Sequence, residues 1–284
     1  MKERRLPSGG RPMKVQGARV LVTGASSGIG RATAVAFARA GAHVALLARE
    51  EGPLQRLAEE LASLPGRRLP VVADVREPEQ VRAAVERTVE AFGGVDVLVS
   101  NAGVGLTASI AQGRLANMRH VVDVNLFGTV HAVQAVYPHM REQRRGVIVI
   151  VSSVTGRIAM PYGGVYSATK AGLIALADAL RLELAEDGIR VVTVLPGYTS
   201  GTSFGENSLK ELHLPGPSRL LRGVPASLVG RKVLEAVERE RREVYVTLGD
   251  RLAVGLRALL PGLVDWGLRR IWLASRRPRP LSAP

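Results

Sequence analysis

Cysteine is absent from this chain of 284 residues, which excludes a disulfide framework, a thiolate metal site and a cysteine nucleophile. Aromatic residues make up only 4%, too few for a base-stacking surface on single-stranded nucleic acid. Lysine is scarce as well. Only Lys2, Lys14, Lys170, Lys210 and Lys232 are lysines, so the net charge of +14 is nearly all arginine. No apolar run reaches the length of a transmembrane helix. The opening MKERRLPSGGRP lacks the apolar stretch of a secretory signal, so a cytoplasmic protein is expected. The histidines, His43, His120, His131, His139 and His213, show no metal-ligand spacing, and no metal is expected.

What is present is a globular composition, 46% hydrophobic and 23% charged. Such a basic chain could meet nucleic acid, an anionic membrane surface or an anionic cofactor. Its arginines are scattered along helical segments and gathered at both ends without a nucleic-acid module, so no nucleic-acid partner is expected.

Residues 1–12, rich in Gly, Pro and Arg, are expected to be a disordered extension. From residue 13 onward, short β-branched runs alternate with longer amphipathic stretches. Residues 20–23, 44–47, 69–73, 95–100, 147–152 and 191–195 read as buried parallel strands, with a seventh at 243–247. Helices are expected at 30–40, 52–63, 78–92, 113–141, 165–186 and 225–242. This alternation predicts an α/β fold: a single-domain, doubly wound, Rossmann-type parallel sheet of about seven strands with helices on both faces. Residues 198–223 interrupt the rhythm after the sixth strand, with one short helix possible near 208–212. They read as a mobile substrate lid or as a plain surface loop.

Thr23-Gly24-Ala25-Ser26-Ser27-Gly28-Ile29-Gly30 closes the first strand and opens a helix. Glycines there let the backbone turn and approach a pyrophosphate, which the helix N-terminus attracts. Gly24, Ser26, Ser27, Gly28, Ile29 and Gly30 are therefore dinucleotide-binding candidates. The end of the second strand distinguishes the cofactors, because an acidic residue there would repel a 2′-phosphate. This chain has Arg49 at that place, so NADP is expected in preference to NAD, with Arg31 as a possible assistant.

In Tyr166-Ser167-Ala168-Thr169-Lys170 a phenol and an ammonium stand four residues apart on one helix face. A neighbouring cation favours the phenolate, so the pair is expected to bring exchange of the Tyr166 proton toward neutral pH.

With the glycine turn, Asn101-Ala102-Gly103 and Tyr166-x3-Lys170 in this order, the chain resembles the short-chain dehydrogenase/reductase family over about residues 13–250. The resemblance implies that Tyr166 is the proton donor to a substrate carbonyl and that Lys170 biases it while binding the nicotinamide ribose. It implies that Ser153, rather than Ser152, polarises the carbonyl oxygen, and that Asn125 holds a water in a proton relay. Toward the cofactor it implies Asp74 and Val75 at the adenine and Asn101, Ala102 and Gly103 along the adenosine side. Pro196 and Gly197 are implied at the nicotinamide face. The family's carboxamide-binding hydroxyl falls in an altered register here, at Thr199 or Thr202.

The family's common C-terminal ending is missing, and residues 251–284 form a basic amphipathic extension instead. It reads as a helical clamp over the pocket or a partner subunit, or as a membrane-interface segment over residues 251–279. The clamp, over the pocket or a partner subunit, is the favoured expectation, and its apolar character implies an apolar pocket. The activity implied is hydride transfer between NADP(H) and a small apolar carbonyl or alcohol, in a homo-oligomer, a dimer or a tetramer. A non-catalytic NADP(H)-binding sensor and a peripheral membrane reductase of lipid-like ketones are the alternatives.

Overall fold

The structure, a computed structural model, describes residues 13–213, 223–239, 241–274 and 279–280. The expected N-terminal extension 1–12, residues 214–222 of the expected lid and residues 275–278 and 281–284 of the C-terminal extension lie outside the described residues.

Runs such as Val20-Leu21-Val22 and Ile148-Val149-Ile150 carry an aliphatic side chain at every position, and each of these residues is completely buried. A strand covered on both faces has no polar side to present, which is the condition of parallel pairing under helices. Seven strands form one parallel sheet: β1 (Arg19–Thr23), β2 (His43–Ala48), β3 (Arg68–Val72), β4 (Val97–Ser100), β5 (Gly146–Val151), β6 (Ile189–Leu195) and β7 (Glu243–Tyr245). Their order is β7-β6-β5-β4-β1-β2-β3.

The main helices are α1 (Gly28–Arg39), α2 (Glu51–Glu60), α3 (Pro78–Phe92), α4 (Leu115–Val122), α5 (Gly128–Glu142), α6 (Gly164–Glu183), α7 (Phe204–Asn207), α8 (Ala226–Glu238), α9 (Leu248–Leu259) and α10 (Pro261–Ala274). Side chains alternate across the sheet. Val20 and Val22 enter a core with Phe37 of α1, Leu54 of α2 and Val233 of α8, whereas Leu21 enters the opposite core with Val81 of α3, Val136 of α5 and Leu173 of α6. Burying each such Leu or Val contributes roughly 1.5–3 kcal/mol, so these two apolar layers dominate the stability.

Two expected elements differ. The helix expected over 113–141 is divided into α4, a π-helical turn at Asp123–Phe127, and α5. The extra residue in the turn carries the buried Asn125, whose side chain reaches Val104 instead of solvent. The short helix expected near 208–212 lies earlier, at α7. Leu209–Lys210 is extended and pairs with Leu106–Thr107 because Leu209 packs beside Leu106 and Val121.

Strand order reverses between β1 and β4, and this switch point leaves a crevice beyond the strands' carboxyl ends where open sheets of this kind bind ligands. At the other end of the sheet Asp96 accepts bonds from Arg19 and Arg145, each as short as 2.7 Å. Burial opposes the Asp96 charge, but these cations hold its carboxyl below the usual range and tie β1 to β4. Among the described residues no helix is long and apolar enough to cross a membrane.

Candidate active site

The loop after β1 is shaped by contacts that only glycine permits. Gly24 has φ +66° and Gly28 has φ +54°, both in the left-handed region. A Cβ on Gly24 would stand 2.9 Å from Cα of Ala102, and a Cβ on Gly30 would strike the carbonyl oxygen of Gly24. The turn therefore folds directly against the loop after β4. Asn101 fastens the two: its Nδ2 donates to the carbonyls of Thr23 at 3.0 Å and Gly24 at 3.4 Å. The Thr23 hydroxyl accepts from the backbone N–H of both Asn101 and Ala102 at 3.0 Å. Ser27 is the N-cap of α1, with no side-chain cap and no acidic residue in the first turn. Its N–H groups without a side-chain cap and the positive end of its dipole suit an anion such as a pyrophosphate, and Ser26 and Ile29 stand at the same turn.

Cations collect where an adenosine would end. Arg49 is exposed beyond β2, and its charge acts on both Asp74 and His120. The Asp74 carboxylate, expected at an adenine amino group, is gripped by the Arg76 guanidinium with bonds as short as 2.7 Å. Hydrogen bonding from Arg76 holds the Asp74 carboxyl below its ordinary value. The Val75 carbonyl faces His131 Nδ1 at 2.9 Å. Arg31 does not turn toward this end. It pairs with Glu60 of α2, which corrects the expectation that it assists Arg49.

Tyr166, Lys170, Ser153 and Asn125 converge beside the ends of β4, β5 and the first turn of α6. Lys170 is buried at 4% exposure, with Nζ 5.7 Å from the centre of the Tyr166 ring and donating to the Val151 carbonyl at 3.0 Å. A Cβ on Gly103 would lie 3.2 Å from Asn125 Oδ1 and 3.6 Å from Lys170 Nζ, so the lysine and the asparagine flank the same backbone. The Asn125 amide is heavily engaged: Oδ1 accepts from the Val104 N–H at 2.8 Å, while Nδ2 donates to the Val104 carbonyl at 3.0 Å and to Thr169 Oγ1 at 3.1 Å. Asn125 thus ties the loop after β4 to α6. Ser152 and Ser153 separate cleanly: the Ser152 hydroxyl donates to the Lys170 carbonyl at 2.7 Å, on the helix backbone. Ser153 accepts from the Thr155 N–H and hydroxyl at 3.1 and 2.9 Å and donates to the Pro196 carbonyl at 3.3 Å, and it stands near enough to the Tyr166 phenol to favour its charged form.

The electrostatics reverse one expectation. Burial pushes the Tyr166 phenol up to about 12, opposed only by the bond with Ser153, and burial pushes the Lys170 ammonium down to about 8. Helical spacing brings the cation near the ring, yet the same burial disfavours both charged forms, so the protein alone does not lower the phenol's pKa.

The segment after β6 lies over this site. Phe204 of α7 packs on Tyr166 with ring centres 5.5 Å apart. Thr199–Ser200 pairs with Val224–Pro225, and the Thr199 hydroxyl donates to the Gly197 carbonyl at 3.2 Å. Thr202 instead faces the glycine turn, 3.3 Å from where a Gly28 Cβ would stand. Of the two threonines, Thr202 is the one that the fold brings against the glycine turn. The described part of the expected lid is anchored by three short strand pairs, 199–200 with 224–225, 209–210 with 106–107 and 212–213 with 279–280. Gly197, following Pro196, is pressed by Asp250, whose carboxylate leaves no room for a Cβ there.

Thr23, Thr155, Thr169, Phe204 and Asp250 are missed by motif reading. Thr23 and Thr169 stand inside the glycine and Tyr–Lys motifs and Thr155 two residues after Ser153, but none of these spacings shows which group the hydroxyl will bond. Phe204 and Asp250 join the site across the fold.

Comparison with known proteins agrees with this geometry. The short chain dehydrogenase family profile matches residues 18–212. Mouse dehydrogenase/reductase SDR family member 7B is 35% identical over 252 residues, covering 86% of this chain and 78% of its own. A Burkholderia phymatum short chain dehydrogenase/reductase crystallised with NAD superposes with TM-score 0.79 at 26% identity, covering 95% of this chain and 100% of that one. An alcohol dehydrogenase from Thermococcus sibiricus complexed with 5-hydroxy-NADP superposes with TM-score 0.70 at 28% identity, covering 80% and 94%.

Proposed function

Because this chain belongs to the short-chain dehydrogenase/reductase family, we propose that it is an NADP(H)-dependent oxidoreductase of small apolar carbonyls and alcohols. The observation that supports this reading most is the convergence of Tyr166, Ser153 and Lys170 beside a glycine cradle and an uncapped helix N-terminus. The cradle residues Gly24 to Gly30, the backbone of Asn101 to Gly103, Pro196, Gly197 and Thr202 hold the dinucleotide, with Arg49 at the 2′-phosphate.

When bound, the reduced cofactor supplies the hydride that the carbonyl carbon accepts. Tyr166 gives its phenolic proton to the carbonyl oxygen, and its high pKa keeps that proton in place until oxygen charge develops. Ser153 donates to the same oxygen, with Thr155 orienting its hydroxyl. Lys170 stabilises the phenolate that forms, and Asn125 holds the backbone against which Lys170 lies. Phe204 covers the phenol and gives the pocket an apolar wall. Exposed residues of α5 and α6, Leu182 among them, suit a homodimer contact.

Steady-state oxidation of NADPH and NADH across a panel of apolar ketones and aldehydes tests this reading. Turnover is expected with NADPH in preference, and Arg49→Ala is expected to lower that preference by roughly tenfold, the loss of one charged hydrogen-bonded contact. Tight NADPH binding with no turnover on any carbonyl would assign the protein to redox sensing. An unchanged preference in Arg49→Ala would remove Arg49 from the phosphate site.

The pH dependence follows from Lys170. With its ammonium at about 8 and the Tyr166 phenol at about 12, both stay protonated below about 8 and only Lys170 loses its proton just above. The kcat/KM for reduction is therefore expected to be level up to about pH 8 and to fall above it with the slope of one proton. A profile level to pH 10 would show that the Lys170 charge has no part in the rate.

A further inference from the structure

The leucines of α9 point the wrong way for a helix that packs on a core. Leu248, Leu252, Leu256 and Leu259 recur at spacings of four, four and three, which places them in one stripe. Their exposures are 71%, 63%, 43% and 81%, and α9 contains no buried residue. The opposite side of the helix carries its attachments. Asp250 closes a capping box with Thr247 and lies against Gly197, and Arg257 lines a cleft of about 250 Å³ with Thr155, Gly156, Ala168 and Ala171. Arg257 also joins the two helices, donating to the Pro261 carbonyl at 2.9 Å and pairing with Asp265. On α10, Leu263 and Trp266 are 52% and 56% exposed, and Arg270 stacks over the Trp266 ring at 4.9 Å. Among the described residues the leucine stripe of α9, with Leu263 and Trp266 of α10, faces outward, away from the contacts that Asp250 and Arg257 make with the body.

We propose that the outward face of α9 and α10 docks on the surface of an anionic phospholipid bilayer. Charge and chemistry select this occupant. Arg251, Arg269 and Arg270 are exposed beside the leucine stripe, in a chain of net charge +14. A second copy seated on this face would bring its own Arg251, Arg269 and Arg270 close to these arginines, whereas an anionic headgroup layer attracts each of them. An indole paired with an arginine is suited to the interface, where its ring meets the acyl boundary and its neighbour meets phosphate. Neither helix is long and apolar enough to span, so the pair lies on the surface. Docking would set the bilayer beside the site, because Asp250 in the first turn of α9 lies against Gly197.

The two tryptophans of the chain, Trp266 and Trp272, both belong to α10, so intrinsic emission reports this segment alone. The full chain is mixed with vesicles of phosphatidylcholine or of phosphatidylcholine with phosphatidylserine, and flotation and tryptophan emission are followed. Flotation with a blue shift is expected on the anionic vesicles. Leu252→Asp with Leu259→Asp is expected to weaken it by at least about tenfold per leucine, with an unchanged melting temperature because both residues are exposed. Arg251→Gln and Arg269→Gln are each expected to weaken it about fivefold. The proposal is overturned by absence of flotation, by flotation that the leucine pair does not alter, or by a wild-type dimer that the leucine pair splits without any vesicle binding. That last outcome would assign the face to a second copy.

Discussion

Tyr166→Phe is expected to lower kcat for carbonyl reduction by about 10²–10⁴-fold, with far smaller change in NADPH affinity. The substitution removes one oxygen and little else. The ring keeps its place against Phe204, 5.5 Å away, and over Lys170 Nζ at 5.7 Å, so packing around the site is retained. What is lost is the phenolic proton beside Ser153 and Lys170. Ser153 cannot take over, because a serine hydroxyl is a far weaker acid and this one is already oriented by Thr155. Single-turnover oxidation of bound NADPH separates the chemical step from cofactor release and is the measurement of choice. A variant that keeps wild-type turnover would move the proton donor elsewhere.

Gly30→Ala is expected to abolish dinucleotide binding in the working range and to lower the melting temperature by several degrees. The added methyl meets the Gly24 carbonyl and stands 2.5 Å from Asn101 Nδ2, so the turn and the loop after β4 cannot stay in contact. Both loops then shift, and with them the N–H groups that would face the pyrophosphate. Overpacking of this kind costs about 1–3 kcal/mol. Thermal shift with and without NADPH reads both effects. Ligand at a hundred times its Kd adds about 2.7 kcal/mol to the wild type, and the variant is expected to show no such gain. Gly255→Ala is the control, since nothing lies within 4 Å of a Cβ there. A variant stabilised by NADPH as strongly as wild type would detach the glycine turn from cofactor binding.

Much of the architecture is legible along the chain because it depends on period and punctuation. Val20-Leu21-Val22 and Ile148-Val149-Ile150 read as doubly covered strands before any contact is known, and all six residues are fully buried. The glycine turn and the Tyr166–Lys170 spacing are local as well, so a motif suffices to find them. The π-helical turn at Asp123–Phe127 is not local in this sense. Its residues suit an α-helix, and the wider turn is held by Asn125 bonding to Val104, 21 residues away. Arg31 and Arg76 show the same limit, since which carboxylate each arginine meets depends on where α2 and the loop after β3 lie.

The amino-acid order by itself determined the alternating fold, the cofactor turn, the Tyr–Lys helix face and the amphipathic C-terminal segment, because each follows from short-range spacing. The tertiary structure alone decided how those parts act. It set the charge balance of Tyr166 and Lys170, since desolvation depends on everything packed around a group and outweighed their helical proximity. It chose Thr202 over Thr199 at the glycine turn. It also turned the leucines of α9 outward, because a helix pattern defines a face without specifying what that face will meet.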